Sequence, residues 1–154
     1  MHITFVCTGN TCRSPMAEVI AKQYAAEHCP DSHYIITSVG LNTFNGSPAS
    51  QHAIDVCREI GLDLTGHRSQ RLNPEIAEKT DLFAVMTPHH AAFLRQCGIP
   101  EDKITVLGGG IPDPFGGDET TYRACRDAIA NAVEKLFADI AAQDSPEGSA
   151  DDAL

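Results

Sequence analysis

Long apolar runs are missing from this chain: no stretch of its 154 residues reaches the ~20 that a membrane helix needs. Nor does a basic segment precede a long apolar stretch near the start, as a secretory leader requires. Basic residues are scarce. Lys and Arg number 11 against 21 Asp and Glu, a net charge of −10, which argues against a nucleic-acid partner because polyanions are held by clustered cations. The six cysteines fall at irregular spacing, which suits a reducing cytoplasm better than a disulfide framework. His89-His90 has no Cys or His partner at ligand spacing, so no metal site is expected and the pair is placed at the exposed start of a helix. No internal repeat is visible, and no cofactor is implied.

What remains is a chain of single-domain size, able to bury a sizeable core. Its charge is uneven. No Lys or Arg follows Lys135, while Asp139, Asp144, Glu147, Asp151 and Asp152 do. Residues 1–141 are therefore read as the folded domain and 142–154 as an acidic, disordered tail.

Strand and helix patterns alternate. A strand over His2–Cys7 is followed by a helix over Pro15–His28, a strand over His33–Val39 and a helix near Ala49–Ile60. Asn73-Pro74 and Thr87-Pro88 each read as a helix cap followed by a first helical residue. They start helices that end near Lys79 and Gln96, with a strand over Asp81–Met86 between them. A short strand over Lys103–Leu107 and a helix from Glu119 to Ile140 complete the chain. The alternation predicts an α/β domain: a four-stranded parallel sheet with helices on both faces, flavodoxin-like and doubly wound. Ligands of such sheets sit at the carboxyl ends of the strands.

The segment Cys7-Thr8-Gly9-Asn10-Thr11-Cys12-Arg13-Ser14-Pro15 leaves the first strand at that end. A thiol attacks only as thiolate. A helix N-terminus and loop amides supply the partial positive charge that favours thiolate and binds phosphate oxygens. Arg13 offers a planar donor fork for two such oxygens. Ser14 can donate to the Cys7 sulfur or cap the helix. Gly9 is read as the residue that lets the loop bend, and Pro15 as the first residue of the helix. The spacing C-x5-R alone is a weak pattern, for which a small buried Cys7 is a sufficient reading. The strand before it, the helix after it and the Gly-Asn inside it make the pattern specific.

Asp113-Pro114-Phe115-Gly116-Gly117 is the second constellation. Alone it reads as a surface turn. Beside a nucleophilic Cys7, Asp113 becomes the candidate acid that protonates a poor leaving group. Cys29, Cys57, Cys97 and Cys125 are read as small packing residues, and Arg123 and Arg126 as solvated. Cys12 shares the loop with Cys7, and a reversible Cys7–Cys12 disulfide is expected under mild oxidation.

Cys7 to Pro15, continuing through Met16-Ala17-Glu18, resembles the signature of low-molecular-weight protein tyrosine phosphatases. That family includes bacterial protein arginine phosphatases and thioredoxin-coupled arsenate reductases. Ser38-Val39-Gly40 resembles its S-A-G, with Val39 a departure, and Asp113-Pro114-Phe115 its late D-P-[FY] loop. The resemblance implies a metal-independent protein phosphatase acting on a phosphorylated protein through a phosphocysteine intermediate. Cys7, Arg13 and Asp113 would be catalytic, and Thr8, Gly9, Asn10, Thr11, Cys12 and Ser14 would form the phosphate loop. The arsenate reductase branch needs redox cysteines after the third strand, where Met86-Thr87-Pro88-His89-His90 has none. Thr11 stands where tyrosine phosphatases of this type carry Ile or Leu and arginine phosphatases carry Thr. With Phe115 before Gly116-Gly117, it favours phosphoarginine, with phosphotyrosine the alternative. A non-enzymatic phosphate-binding or redox-sensing module using Cys7 and Cys12 is the remoter one.

Overall fold

The computed structural model describes residues 1–143. Its strands are β1 (His2–Cys7), β2 (Ile35–Gly40), β3 (Leu82–Val85) and β4 (Ile104–Val106). They form one sheet in the order β2-β1-β3-β4, and every pairing is parallel. The helices are α1 (Arg13–His28), α2 (Gln51–Arg58), α3 (Pro74–Lys79), α4 (Pro88–Gln96) and α5 (Glu119–Gln143). None among the described residues is long and apolar enough to cross a membrane. The first two residues of the expected tail, Ala142 and Gln143, belong to α5; from Asp144 on, that tail lies outside the described residues.

The pleat of β1 explains why both sheet faces are covered. Successive side chains of a strand point to opposite faces. Ile3, Phe5 and Cys7 join the cluster built with α1, α2 and α5, while Val6 joins the one built with Ala91 and Leu94 of α4. Two helical layers therefore enclose the sheet, as the alternation predicts.

Caps place the helices on the second face. Asn73 accepts from Ile76 N at 2.9 Å, and Thr87 accepts from His90 N at 3.2 Å. In each case proline occupies the first helical position. Two readings need correction. α1 begins at Arg13, so Pro15 is its third residue rather than its first. Its missing N–H still costs no bond there, because the first four helical amides have no intrahelical acceptor. Arg126 is not solvated: it is buried and donates to Val56 O at 2.8 Å and to Glu59 Oε1 at 2.8 Å. With Arg123 it ties α5 to the end of α2. Hydrogen bonds from Arg123, then Arg126, hold the Glu59 carboxyl down to about 2.

Candidate active site

Cys7 ends β1, and Thr8–Cys12 turn from it into α1. The Cys7 sulfur is buried and lies 2.8 Å from Ser14 Oγ. It also accepts from the Asn10 backbone N–H at 3.3 Å. Ser14 Oγ in turn accepts from Asn10 Nδ2 at 2.8 Å, and its own proton has the Cys7 sulfur and, at 3.4 Å, Val39 O as acceptors. Ser14 therefore serves the thiol and not the helix cap. The cap residue of α1 is Cys12, which makes no side-chain cap bond. Where Ser50, Asn73 and Thr87 close the other helices, the amides opening α1 remain available to an anion.

The loop holds its shape through Asn10, the only non-glycine at positive φ among the described residues (φ 55). Asn tolerates this left-handed conformation better than most residues, and here every polar group of it is engaged. Its Oδ1 accepts from Gln70 N at 2.8 Å, its Nδ2 also donates to Ser38 Oγ at 3.0 Å, and its carbonyl meets His67 Nε2 at 2.7 Å. Ser38 passes the chain to Glu18 Oε1 at 2.8 Å. His67 and Gln70 escaped the sequence reading because their segment has no periodicity and reaches the loop only through tertiary packing.

Gly9 is not the glycine that the loop needs. A Cβ there would meet nothing closer than Thr11 Oγ1 at 3.7 Å. The close approach is at Gly40, where a Cβ would stand 2.7 Å from Thr8 O and 2.8 Å from the Thr43 methyl. Thr8 O is backbone and already accepts from Asn42 N at 2.9 Å, so it cannot yield cheaply. Gly40→Ala is expected to cost about 1–3 kcal/mol, the usual scale of overpacking, and to lower activity by displacing the phosphate loop. Chemical denaturation with a parallel rate measurement checks both.

Arg13 is buried, 4% exposed. Its Nη1 donates to Ile111 O at 2.9 Å, and its Nη2 lies 3.7 Å from Asp113 Oδ2. Asp113 is half exposed, so this contact is weak as an energy term, but it sets the acid loop against the phosphate loop. Asp113 Oδ1 also accepts from Phe115 N at 3.1 Å. The run Gly108-Gly109-Gly110, at positive φ throughout, lets the chain swing from β4 back to this point.

A recess of about 240 Å³ results, lined by Cys7, Thr8, Gly9, Thr11, Cys12, Arg13, Asp113 and Phe115. It gathers a thiol, a guanidinium and a carboxyl on one lining. Thr11 is half-buried on the wall, and Phe115 is 82% exposed at the rim. The Cys12 sulfur lies 3.4 Å from Ser50 Oγ and 3.4 Å from the Tyr122 hydroxyl. Burial, then the bond to Cys12, pushes that hydroxyl up to about 12. Cys7 and Cys12 are both free thiols.

Two other readings are corrected by packing. Cys97 is exposed and lines a separate apolar groove of about 440 Å³ with Phe93 and Ile99. Cys57 and Cys125 are packed as expected, and burial raises their thiols to about 11 and about 12. His90 does not share the exposure of His89: it is buried against the phosphate loop, with Nε2 2.9 Å from Thr8 Oγ1. Desolvation lowers its imidazole to about 4, helped by the nearby charges of Arg13 and His89. Among the described residues no group of three or more His, Cys, Asp or Glu is placed to hold a metal ion.

Residues 2–145 match the family model described as low molecular weight phosphotyrosine protein phosphatase. The protein-arginine-phosphatase of Bacillus subtilis (strain 168) is 35% identical over 144 residues, 88% of this chain and 94% of that one. The low molecular weight protein-tyrosine phosphatase A of Mycobacterium tuberculosis is 32% identical over 147 residues, 88% of this chain and 89% of that one. Among solved structures, the YwlE arginine phosphatase in a mutant with a phosphorylated active site serine superposes with a TM-score of 0.85. It is 32% identical and covers 96% of this chain and 99% of its own. A cysteine-bearing loop after the first strand, a late acidic loop beside it and likeness to these proteins over most of the chain place it in the low-molecular-weight protein tyrosine phosphatase family, as a cysteine-based protein phosphatase.

Proposed function

We propose that this phosphatase removes the phosphoryl group from phosphoarginine in proteins of the cytoplasm, with Cys7, Arg13 and Asp113 as its catalytic residues. The Cys7 thiolate attacks phosphorus in line. An S–P bond forms as the P–N bond breaks, and Asp113 gives its proton to the departing guanidine nitrogen. Arg13 and the amides opening α1 stabilise the charge on the equatorial oxygens. Water then attacks the phosphocysteine, Asp113 takes the proton of that water, and the S–P bond breaks to release inorganic phosphate and the thiolate. Ser14, 2.8 Å from the sulfur, supports the thiolate as a leaving group. A thiol-dependent cycle suits a reducing compartment.

The observation that carries the choice of substrate is Thr11. Thr11 lines the recess, and a hydroxyl-bearing side chain there suits a polar guanidinium where an aliphatic one would favour a phenyl ring. The likeness to a protein-arginine-phosphatase over most of the chain supports the same choice. The exposed Phe115 at the rim, followed by Gly116-Gly117 as in the arginine-phosphatase loop that the sequence resembles, points the same way; phosphotyrosine is the alternative. Thr11→Ile separates the two. Its kcat/KM on a phosphoarginine peptide is expected to fall about 3–10-fold, the scale of one net hydrogen bond, while that on a phosphotyrosine peptide rises. A parallel fall in both would make Thr11 a structural part of the loop and remove the basis for the substrate assignment.

A further inference from the structure

His90 has no part in the steps above, yet it is the one histidine among the described residues that is fully buried, at 5% exposure. Its ring bridges the two elements that meet beside the recess. Nε2 lies 2.9 Å from Thr8 Oγ1 on the phosphate loop, and Nδ1 lies 3.1 Å from Thr87 Oγ1 at the start of α4.

The hydrogen-bond pattern selects one tautomer. Thr87 Oγ1 already accepts from the His90 backbone N–H as the cap of α4. Its own proton then has Nδ1 as acceptor, so Nδ1 is bare and Nε2 carries the hydrogen. In the reverse tautomer both ring contacts would run the other way. Thr87 would accept twice and its own proton would go unused at a half-buried site. With Nε2–H donating, Thr8 Oγ1 is an acceptor on its ring side and its own O–H is left over. Thr8 lines the recess together with Cys7, Arg13 and Asp113.

We infer that His90 is a positioning residue of the site: as the neutral Nε2–H tautomer it fixes the Thr8 hydroxyl so that its proton is donated to an oxygen of the bound phosphoryl group. The last step rests on the phosphatase reading; the tautomer and the Thr8 contact do not. Three charged or titratable groups act on the ring. Burial, the largest influence, disfavours an imidazolium; Arg13 and His89 disfavour it too, and Asp113 favours it. The ring therefore holds Thr8 as a neutral donor throughout the neutral range.

Nitrogen chemical shifts of the His90 ring in the intact protein at pH 7 test the tautomer. Protonated Nε2 and bare Nδ1 are expected; a protonated Nδ1 or an imidazolium would overturn the inference. A mutant cycle on p-nitrophenyl phosphate tests the coupling. Thr8→Val is expected to lower kcat/KM about 3–10-fold, as for one neutral hydrogen bond, and His90→Phe by a similar factor. The double variant should lose no more than the larger single loss. His90→Gln, whose amide N–H can occupy the Nε2 position, should recover most of the activity that His90→Phe loses, which a merely space-filling role would not produce. Wild-type kcat/KM in Thr8→Val, or losses that multiply in the double variant, would contradict the inference. Thr8 is exposed, so its variant decides the matter even where His90→Phe does not fold. If the wild type fails to turn over p-nitrophenyl phosphate, the phosphatase reading falls. The affinity of wild type and Thr8→Val for inorganic phosphate then decides the inference: weaker binding in the variant supports it and equal binding overturns it.

Discussion

Replacing Cys7 with serine is expected to abolish turnover while leaving inorganic phosphate binding largely intact. The two effects separate because different atoms produce them. In the proposed mechanism phosphate is held by Arg13, fixed by Ile111 O at 2.9 Å, and by the uncapped start of α1. Neither depends on sulfur. Attack on phosphorus does, because a serine hydroxyl stays protonated at neutral pH and neither the Ser14 hydroxyl nor the Asn10 backbone N–H beside it is a base that could take its proton. The loss should reach about 10⁴–10⁶-fold in kcat, the scale on which covalent mechanisms fail without their nucleophile. Hydrolysis of p-nitrophenyl phosphate measures the first effect and calorimetry with phosphate the second. Turnover near wild type in Cys7→Ser would rule out a phosphocysteine intermediate. Lost phosphate binding would mean that the sulfur is structural.

Asp113→Asn is expected to lose about 10²–10⁴-fold in rate, the range typical of a missing general acid. The amide keeps the shape of the carboxyl and can still accept from Phe115 N, so the loop should stay in place and only the proton is lost. The loss should therefore shrink as the leaving group becomes more acidic. A uniform loss for every leaving group would assign Asp113 to positioning Arg13, 3.7 Å away, and leave the acid unidentified.

Much of this architecture is written locally in the sequence. The run His2–Cys7, the proline-marked caps at Asn73 and Thr87, and the alternation of elements each report on their own neighbourhood, and the folded chain follows them to within a few residues. The Cys7 loop was legible for the same reason: strand, loop and helix start are contiguous. What was not legible depends on partners far away in sequence. His89 and His90 look equivalent on paper, and only the packing of α4 against a loop 82 positions earlier buries one of them. Arg126 reads as a surface cation because its acceptors on α2 lie about 70 positions away. Gly9 sits inside the motif and attracts attention, whereas the backbone approach that requires glycine is made at Gly40, on the neighbouring strand. Asp113 was identifiable only in combination with Cys7, since its dipeptide alone is that of an ordinary turn.

Substrate identity is the claim on which the functional reading stands, and side-by-side rates of the wild-type protein on one peptide carrying phosphoarginine or phosphotyrosine test it most directly. With Thr11 on the wall and Asp113 able to protonate a nitrogen leaving group, kcat/KM is expected to be higher for the phosphoarginine peptide. A higher value for the phosphotyrosine peptide would contradict the assignment and leave a tyrosine phosphatase that uses the same Cys7 loop.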